Sequence, residues 1–377
     1  MANSFNQFDY EWVSIGLYEH YDIKGQIELL YGEVDLNFKI KDSEKGDFVA
    51  KISPSGYNDS YLDFQEKILL HLIQNKENIT SPKPIQNRNK TYTSLIEDPK
   101  GNIYSLRILS WIEGNLWSTV TPITEPLLYQ LGVRAGEIAK VLESFAHKEA
   151  HRIFKWDTAQ ILWVEEYLHY FSSKERELIF PFLQKFKNCE ATYGSLRKQV
   201  VHNDANDNNI IVSTKHFPYE VVGIIDFGDA IYTQLIHDVA HCCVYASMRV
   251  NNPLSAAIQV VKGYHSQFQL EEKEIKYLYL AIALRLIISV THATINKKEH
   301  PENEYLLISE SDAWDLLNKW QSLSEEEVYY QFRNACGFSP HPNENKFITW
   351  AKSQNRLLKE LFPTIEKNDY YFLNLSI

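Results

Sequence analysis

The change of pattern near residue 110 limits the possible folds of this chain more than any other feature. Upstream, "QIELLYGEVDLNFKIK" and "DFVAKIS" read as strands flanking the charged turn "DSEKG". The stretch "SYLDFQEKILLHLIQNK" follows with a helical stripe of Leu62, Leu69, Leu72 and Ile73, capped by Asp59 or Ser60. Two prolines in "TSPKPIQN" end it, and two further strands, "KTYTSLIED" and "NIYSLRILSWI", meet at "PKGN". Beyond "EGN" at 113–115 the periods become helical, in "LYQLGVRAGEIAKVLESFAHK", "AQILWVEEYLHYF" and "ERELIFPFLQKF". One strand island interrupts them, "IIVS" and then "YEVVGIIDFGD", and helices resume from about residue 234 to the end. This order predicts an α+β chain of two lobes with a cleft between them. Residues 1–110 form a β-rich N-terminal lobe, and 111–377 form a larger, mainly helical lobe with an embedded hairpin.

The chain has 377 residues, enough for two lobes with filled cores, and 44% hydrophobic content marks it as ordered. Its net charge of −11, without a Lys/Arg-rich block, argues against nucleic acid as a partner. The most apolar run, "YLYLAIALRLIISV" at 277–290, contains Arg285 and is too short to span a bilayer, so it is expected as a buried core helix. Cys189, Cys242, Cys243 and Cys336 show no metal-ligand spacing and suit reduced thiols. The N-terminal "MANSFNQFDYEWVS" has no secretory pattern, so a cytoplasmic protein without membrane partners is expected, and the sequon at Asn78 carries no meaning.

The chemistry concentrates in "VHNDANDNNIIVS", residues 201–213. A calcium loop fails there, because Asn209 stands where Gly is needed and Lys215 where a bidentate Glu belongs. His202, Asp204 and Asn209 instead fit H-x-D-x-x-x-x-N, the spacing of a protein-kinase catalytic loop. In that chemistry the Asp takes the proton of the attacking hydroxyl and the Asn holds magnesium. Downstream, Asp226-Phe227-Gly228 follows an apolar strand. A hairpin pairing "IIVS" with "VVGIID" would return Asp226 beside Asn209, giving the metal two oxygen ligands.

Lys51 ends the strand "FVAKI", and Glu66 lies fifteen residues later in the first helix, where the two can pair to position phosphates. The stretch "LLYGEVDLNFKI" has Gly32 alone, so any phosphate-covering hairpin works with one glycine. His237 and His241 in "HDVAH" share a helical face as zinc ligands do, but no third ligand or base accompanies them, and His147 and His151 repeat the spacing.

With these residues in place, the chain resembles the aminoglycoside phosphotransferase and choline kinase-like family, most closely its hydroxylysine kinase branch. "LLYGEVDLNFKI", "SLRILSWIEGNLW", "AHKEAHRIFKWD", "VHNDANDNNIIV" and "GIIDFGDAIYTQLIHDVAHCCVYA" are similar to blocks of that branch, in order, as are "VVKGYHSQFQL", "ALRLIISV" and "HPENEYLLISESDAW". The resemblance implies a protein-kinase-like fold with Asp204 as catalytic base and Asn209 and Asp226 as magnesium ligands. It implies that Lys51 and Glu66 position the nucleotide, that Asp238 braces the catalytic loop, and that His202 supports it. Leu109 to Ile112 would be the hinge that meets the base of the nucleotide, with Trp111 as its aromatic.

The expected activity is transfer of the terminal phosphoryl of ATP, with Mg2+, to the hydroxyl of a small amino alcohol or hydroxylated amino acid. Hydroxylysine stands first, with homoserine-like, choline-like and aminoglycoside acceptors as alternatives. An acceptor carboxylate would want a cation, for which Arg285 and Arg249 are candidates against the plainer reading of structural ion pairs. A nucleotide-binding pseudoenzyme is the rival from another class. A protein kinase is disfavoured, because "GDAIYTQLIHD" runs straight into a helix and A-P-E is missing.

Overall fold

The computed structural model describes residues 10–30, 32, 35–54, 59–75, 79–299 and 310–354. The tip of the expected covering hairpin (31, 33 and 34), the sequon at Asn78 and the block at 300–309 lie outside the described residues. The N-terminal half-structure is α1 (Glu11–Tyr21) laid on an antiparallel sheet of β1 (Gln26–Leu30), β2 (Leu36–Asp42), β3 (Gly46–Pro54), β4 (Thr93–Glu97) and β5 (Ile103–Ser110). The strand order is β1-β2-β3-β5-β4. Alternation sorts the two faces. Phe38, Ile40, Phe48, Ala50, Ile52, Leu106 and Ile108 pack with Val13 and Leu17 of α1 in one core. The opposite face carries Lys39, Lys51, Arg107 and Leu109 toward the cleft, with Lys51 in register with Arg107 and Val49 with Leu109. Pro84 bridges to Leu109 on the outer side of β5, an edge position where the missing N–H is not needed.

The helix α2 (Asp59–Asn75) follows β3 in sequence, yet Phe64, Ile68, Leu69 and Leu72 join the larger core of the helical lobe. His71 Nε2 bonds the carbonyl of Val141 at 3.0 Å and His147 meets Asp63 at 3.2 Å, so α2 is seated on the helical lobe by polar as well as apolar contacts.

The helical lobe starts after β6 (Asn115–Leu116) with α3 (Glu125–Leu142) and α4 (Ser173–Gly194). Between them Thr158–Tyr170, expected as part of an α-helix, is a 3₁₀ segment. Its buried residues Thr158, Ile161 and Val164 recur every three positions, which matches the 3₁₀ period. Four short strands then frame the site: β7 (Lys198–Val201), β8 (Ile210–Ser213), β9 (Glu220–Ile224) and β10 (Ile231–Gln234). The expected β8–β9 hairpin forms, with a register shift at Ile211/Val212. β7 also pairs with β10, and β6 with β8, neither of which the sequence pattern predicts. Each of those partners is too short to show a period.

The lobe is completed by α5 (Ile236–Ser247), α6 (Pro253–Gln267), α7 (Glu272–Glu299), α8 (Glu310–Gln321), α9 (Glu325–Ala335) and α10 (Glu344–Ser353). The apolar run at 277–290 lies in α7, which at 28 residues is, against expectation, long and apolar enough to cross a membrane. Its residues from Leu278 to Ile288 are buried inside the protein, so the expected core helix is what forms. Helices α3 and α6 cross at glycine contacts. A Cβ added to Gly132 would lie 2.0 Å from the Val260 carbonyl, and one on Gly263 would lie 2.0 Å from that of Tyr129.

Candidate active site

The loop 202–209 leaves β7 at Val201 and returns in β8 at Ile210, so both of its ends are fixed by strands. His202 is 1% exposed and both ring nitrogens are used. Nε2 bonds the Ile225 carbonyl at 2.9 Å, and Nδ1 accepts the Asp204 backbone N–H at 3.1 Å. That pattern requires a neutral ring protonated on Nε2, and burial brings its pKa down to about 4. The ring also meets Phe227 edge to face at 4.5 Å. His202 thus joins the loop holding Asp204 to the loop holding Asp226.

Asp238 lies in the first turn of α5, and its Oδ1 accepts the His202 backbone N–H at 3.1 Å. It also accepts the backbone N–H of Asn203, whose φ of +65° is a left-handed conformation that Asn tolerates. Burial raises the Asp238 carboxyl to about 7 against these bonds. The neighbouring histidines serve the interior. His237 bonds Tyr193 Oη at 2.8 Å, and His241 bonds Thr158 Oγ1 at 3.1 Å.

Asp204 is gripped from three sides. Asn206 Nδ2 donates to both carboxylate oxygens at 3.1 and 3.0 Å, and Asn209 Nδ2 donates to Oδ2 at 2.8 Å. Arg285 Nη2 reaches Oδ1 at 3.2 Å and Tyr245 Oη at 3.2 Å. Burial raises the Asp204 pKa well above the usual range, Asp229 and Asp226 add to that, and Arg285 and Asn206 oppose it. The side chain keeps 22% exposure, so the carboxylate is desolvated and still open to the cleft.

The hairpin brings Asp226 back as expected, with the Ile225 N–H bonding the Asn209 carbonyl at 2.8 Å. Asp226 has φ +61°, a strained conformation for a residue with a Cβ and one that clusters at functional sites. Its Oδ1 accepts from Lys51 Nζ at 3.0 Å and from the Gly228 N–H at 3.3 Å. The Lys51 ammonium is the main reason its pKa is lowered. Asn209 spends its amide nitrogen on Asp204, which leaves its side-chain oxygen without a bond among the described residues. That oxygen and the Asp226 carboxylate are hard donors of the kind that suit Mg2+.

Lys51 does not pair with Glu66 here. Its ion pair crosses the cleft to Asp226, and Glu66 is half-buried with its pKa raised by burial and by Asp63. The cation that engages α2 is Arg107, beside Lys51 on the next strand. Arg107 bonds Gln65 Oε1 at 2.6 Å, Asp35 Oδ2 at 3.0 Å and Ser53 Oγ at 3.1 Å. This buried network ties the β1–β2 hairpin to α2, and no motif pointed to it. Trp111 follows the end of β5, in the segment expected as the hinge. Its backbone N–H bonds the Asp47 carbonyl at 3.1 Å, its Nε1 bonds Glu113 at 3.1 Å, and Lys39 lies 3.9 Å from its ring centre.

Tyr61, Arg152 and Asp207, which had no expected role, complete the site together with Arg249. Tyr61 Oη bonds the Gly228 carbonyl, which Arg152 Nη2 also meets at 3.3 Å, so α2 touches the Asp226 loop directly. Asp207 pairs with Arg249 Nη2 at 2.5 Å, and Arg249 also meets the Ser118 carbonyl at 3.3 Å and Asp312 at 3.6 Å. Arg249 therefore braces the loop as a structural ion pair. Asn206 and Asp207 could have been singled out only by knowing which way each turn residue points.

Residues 28–273 match the family described as "APH: Phosphotransferase enzyme family". Bovine hydroxylysine kinase is 28% identical over 243 residues, 60% of this chain and 64% of that protein's length. The Xenopus laevis hydroxylysine kinase is 27% identical over 325 residues, covering 78% of this chain and 84% of that protein. The solved structure of a microcompartment-associated aminopropanol kinase superposes with a TM-score of 0.61 at 15% identity. That superposition covers 82% of this chain and 97% of that one, and it shows a shared two-lobed, protein-kinase-like fold. The chain belongs to the APH phosphotransferase enzyme family.

Proposed function

We propose that this protein is a small-molecule kinase that moves the terminal phosphoryl of ATP to the hydroxyl of an amino alcohol or hydroxylated amino acid, with hydroxylysine the first candidate. The observation that carries this reading is the meeting of Lys51 from the sheet with Asp226 at 3.0 Å, beside Asn209 and Asp204. Phosphoryl transfer asks a protein for positioning and charge stabilisation, and these four side chains supply both from opposite walls of one cleft.

Asp204 is placed to orient the acceptor hydroxyl and take its proton. Its carboxylate is held by Asn206, Asn209 and Arg285, and the burial that raises its pKa makes it a better base near neutral pH. Lys51 exchanges Asp226 for phosphate oxygens when nucleotide enters, with Leu109 on the same face of the sheet, and Trp111 against Lys39 of that face, lining the base. Asn209 and Asp226 would hold Mg2+, which when bound neutralises developing phosphate charge. His202 and Asp238 keep the two loops in register. The amine of the acceptor suits a site where Asp226 and Asp229 lie close enough to Asp204 to raise its pKa, and the hydroxylysine kinases among the relatives favour that class.

The test is coupled ADP release with Mg-ATP over hydroxylysine, homoserine, choline, ethanolamine and aminopropanol. Acceptor-dependent ADP release that is lost in Asp204→Ala is the expected result. Release that ignores every alcohol, or an Asp204→Ala variant with full rate, would sink the proposal.

A further inference from the structure

Arg285 is a charged residue in the middle of the most apolar helix of the chain and is 1% exposed. A guanidinium has five N–H donors, and a buried one is costly unless they are used. Among the described residues only Nη2 is engaged, by Asp204 and Tyr245, and Nε and Nη1 have no hydrogen-bond partner. Two turns further along α7, His292 Nε2 is likewise buried without a partner among the described residues. Ser289 lies between them, and positions 285, 289 and 292 fall on one helical face. Trp156 packs against both ends of this polar stripe. Arg285 lies 4.6 Å from its ring centre, and His292 stacks on it at 4.1 Å with a 12° tilt. Both Trp156 and His292 are only half-buried, so the side chain covering the guanidinium itself reaches solvent. The stripe starts at the catalytic carboxylate, because Arg285 Nη2 is 3.2 Å from Asp204 Oδ1.

Resting on the kinase reading above, we propose that the unspent N–H groups of Arg285 bind a carboxylate on the acceptor, making Arg285 the residue that selects hydroxylated amino acids over amino alcohols without an acid group. The chemistry is a charge-assisted hydrogen bond from a fixed planar donor, the interaction for which arginine is better suited than lysine. Trp156 and Tyr245 hold the guanidinium from the sides, so its orientation is set before the acceptor arrives. One face of the acceptor then spans from Asp204, at its hydroxyl, to Arg285, at its carboxylate. The opposite candidate, Arg249, has its donors on Asp207, Ser118 and Asp312 and is left with a bracing role.

The experiment compares hydroxylysine, its carboxamide and its decarboxylated diamine as acceptors, by kcat/KM and by calorimetric binding without nucleotide. In the wild-type protein the acid should be preferred by about 10- to 100-fold, the loss expected when a charged hydrogen-bond partner is removed. In Arg285→Met, and in the milder Arg285→Gln, that preference should collapse to near unity in both readouts. A variant that merely disturbs Asp204 lowers kcat for all three acceptors alike and leaves the ratio intact, and that outcome overturns the proposal. The wild-type comparison needs no variant to fold. If the protein turns over carboxamide or diamine as well as the acid, the carboxylate assignment is wrong while the kinase reading stands. If none of the three supports ADP release and another amino alcohol does, the carboxylate assignment again fails alone. Absence of turnover with every alcohol overturns both.

Discussion

Replacing His202 by Gln tests the link between the Asp204 and Asp226 loops, and the structure sets the size of the effect. The ring is buried and neutral, with its pKa brought from an ordinary 6.5 to about 4. A histidine with a depressed folded pKa favours the deprotonated fold. Its contribution is complete above about 6.5 and is lost as pH falls toward about 4. At about 1.4 kcal/mol per pH unit the full gap is worth about 3 kcal/mol, of which about 2 kcal/mol is lost between about pH 7.5 and pH 5. His241 and His292 are depressed in the same direction, so the wild-type pH dependence alone does not isolate His202. Urea denaturation of wild type and His202→Gln at both pH values removes that background. The variant should start lower at the upper pH, because the Gln amide cannot span both contacts as the ring does and leaves the Ile225 carbonyl or the Asp204 N–H without its partner at about 1–3 kcal/mol. It should then lose about 2 kcal/mol less than wild type on acidification. Equal losses in the two proteins would refute a buried, neutral His202.

Two further substitutions test the frame around the site. Arg107→Met should destabilise the protein by about 3–5 kcal/mol, because Asp35, with 12% side-chain exposure, is left as a buried carboxylate without its cation. Adding Asp35→Asn should recover part of the loss in urea melts, and a single variant as stable as wild type would remove the network from the account. Gly132→Ala gains about 1 kcal/mol of helix propensity. It should still lose about 1–3 kcal/mol net, because its Cβ meets the Val260 carbonyl of α6. A rise in Tm would show that the α3–α6 crossing relaxes freely.

The two-lobed order was legible in the sequence, because a strand period of two and a helix period of 3.6 are local properties that survive without a structure. Asp204, Asn209 and Asp226 were legible for a related reason. Their separation is set by one short loop and one hairpin, and the register Ile210↔Ile224 carries Asn209 and Asp226 together. Asp238 was readable only through the family resemblance, since nothing in "HDVAH" says that its carboxylate faces the backbone of His202. What the sequence could not contain is who meets whom across the cleft. Lys51 and Arg107 are neighbours on adjacent strands. Which of them reaches α2, and which reaches Asp226, depends on how α2 packs against the helical lobe. Arg285 is the sharpest case. As a letter it interrupts an apolar helix and could serve as a structural cation or a ligand. Only the tertiary fold, by placing one nitrogen on Asp204 and leaving the others buried without partners among the described residues, gives Arg285 the geometry on which the proposed acceptor contact rests. Burial and long-range pairing are properties of the assembled chain, and they decide the charge states on which this site depends.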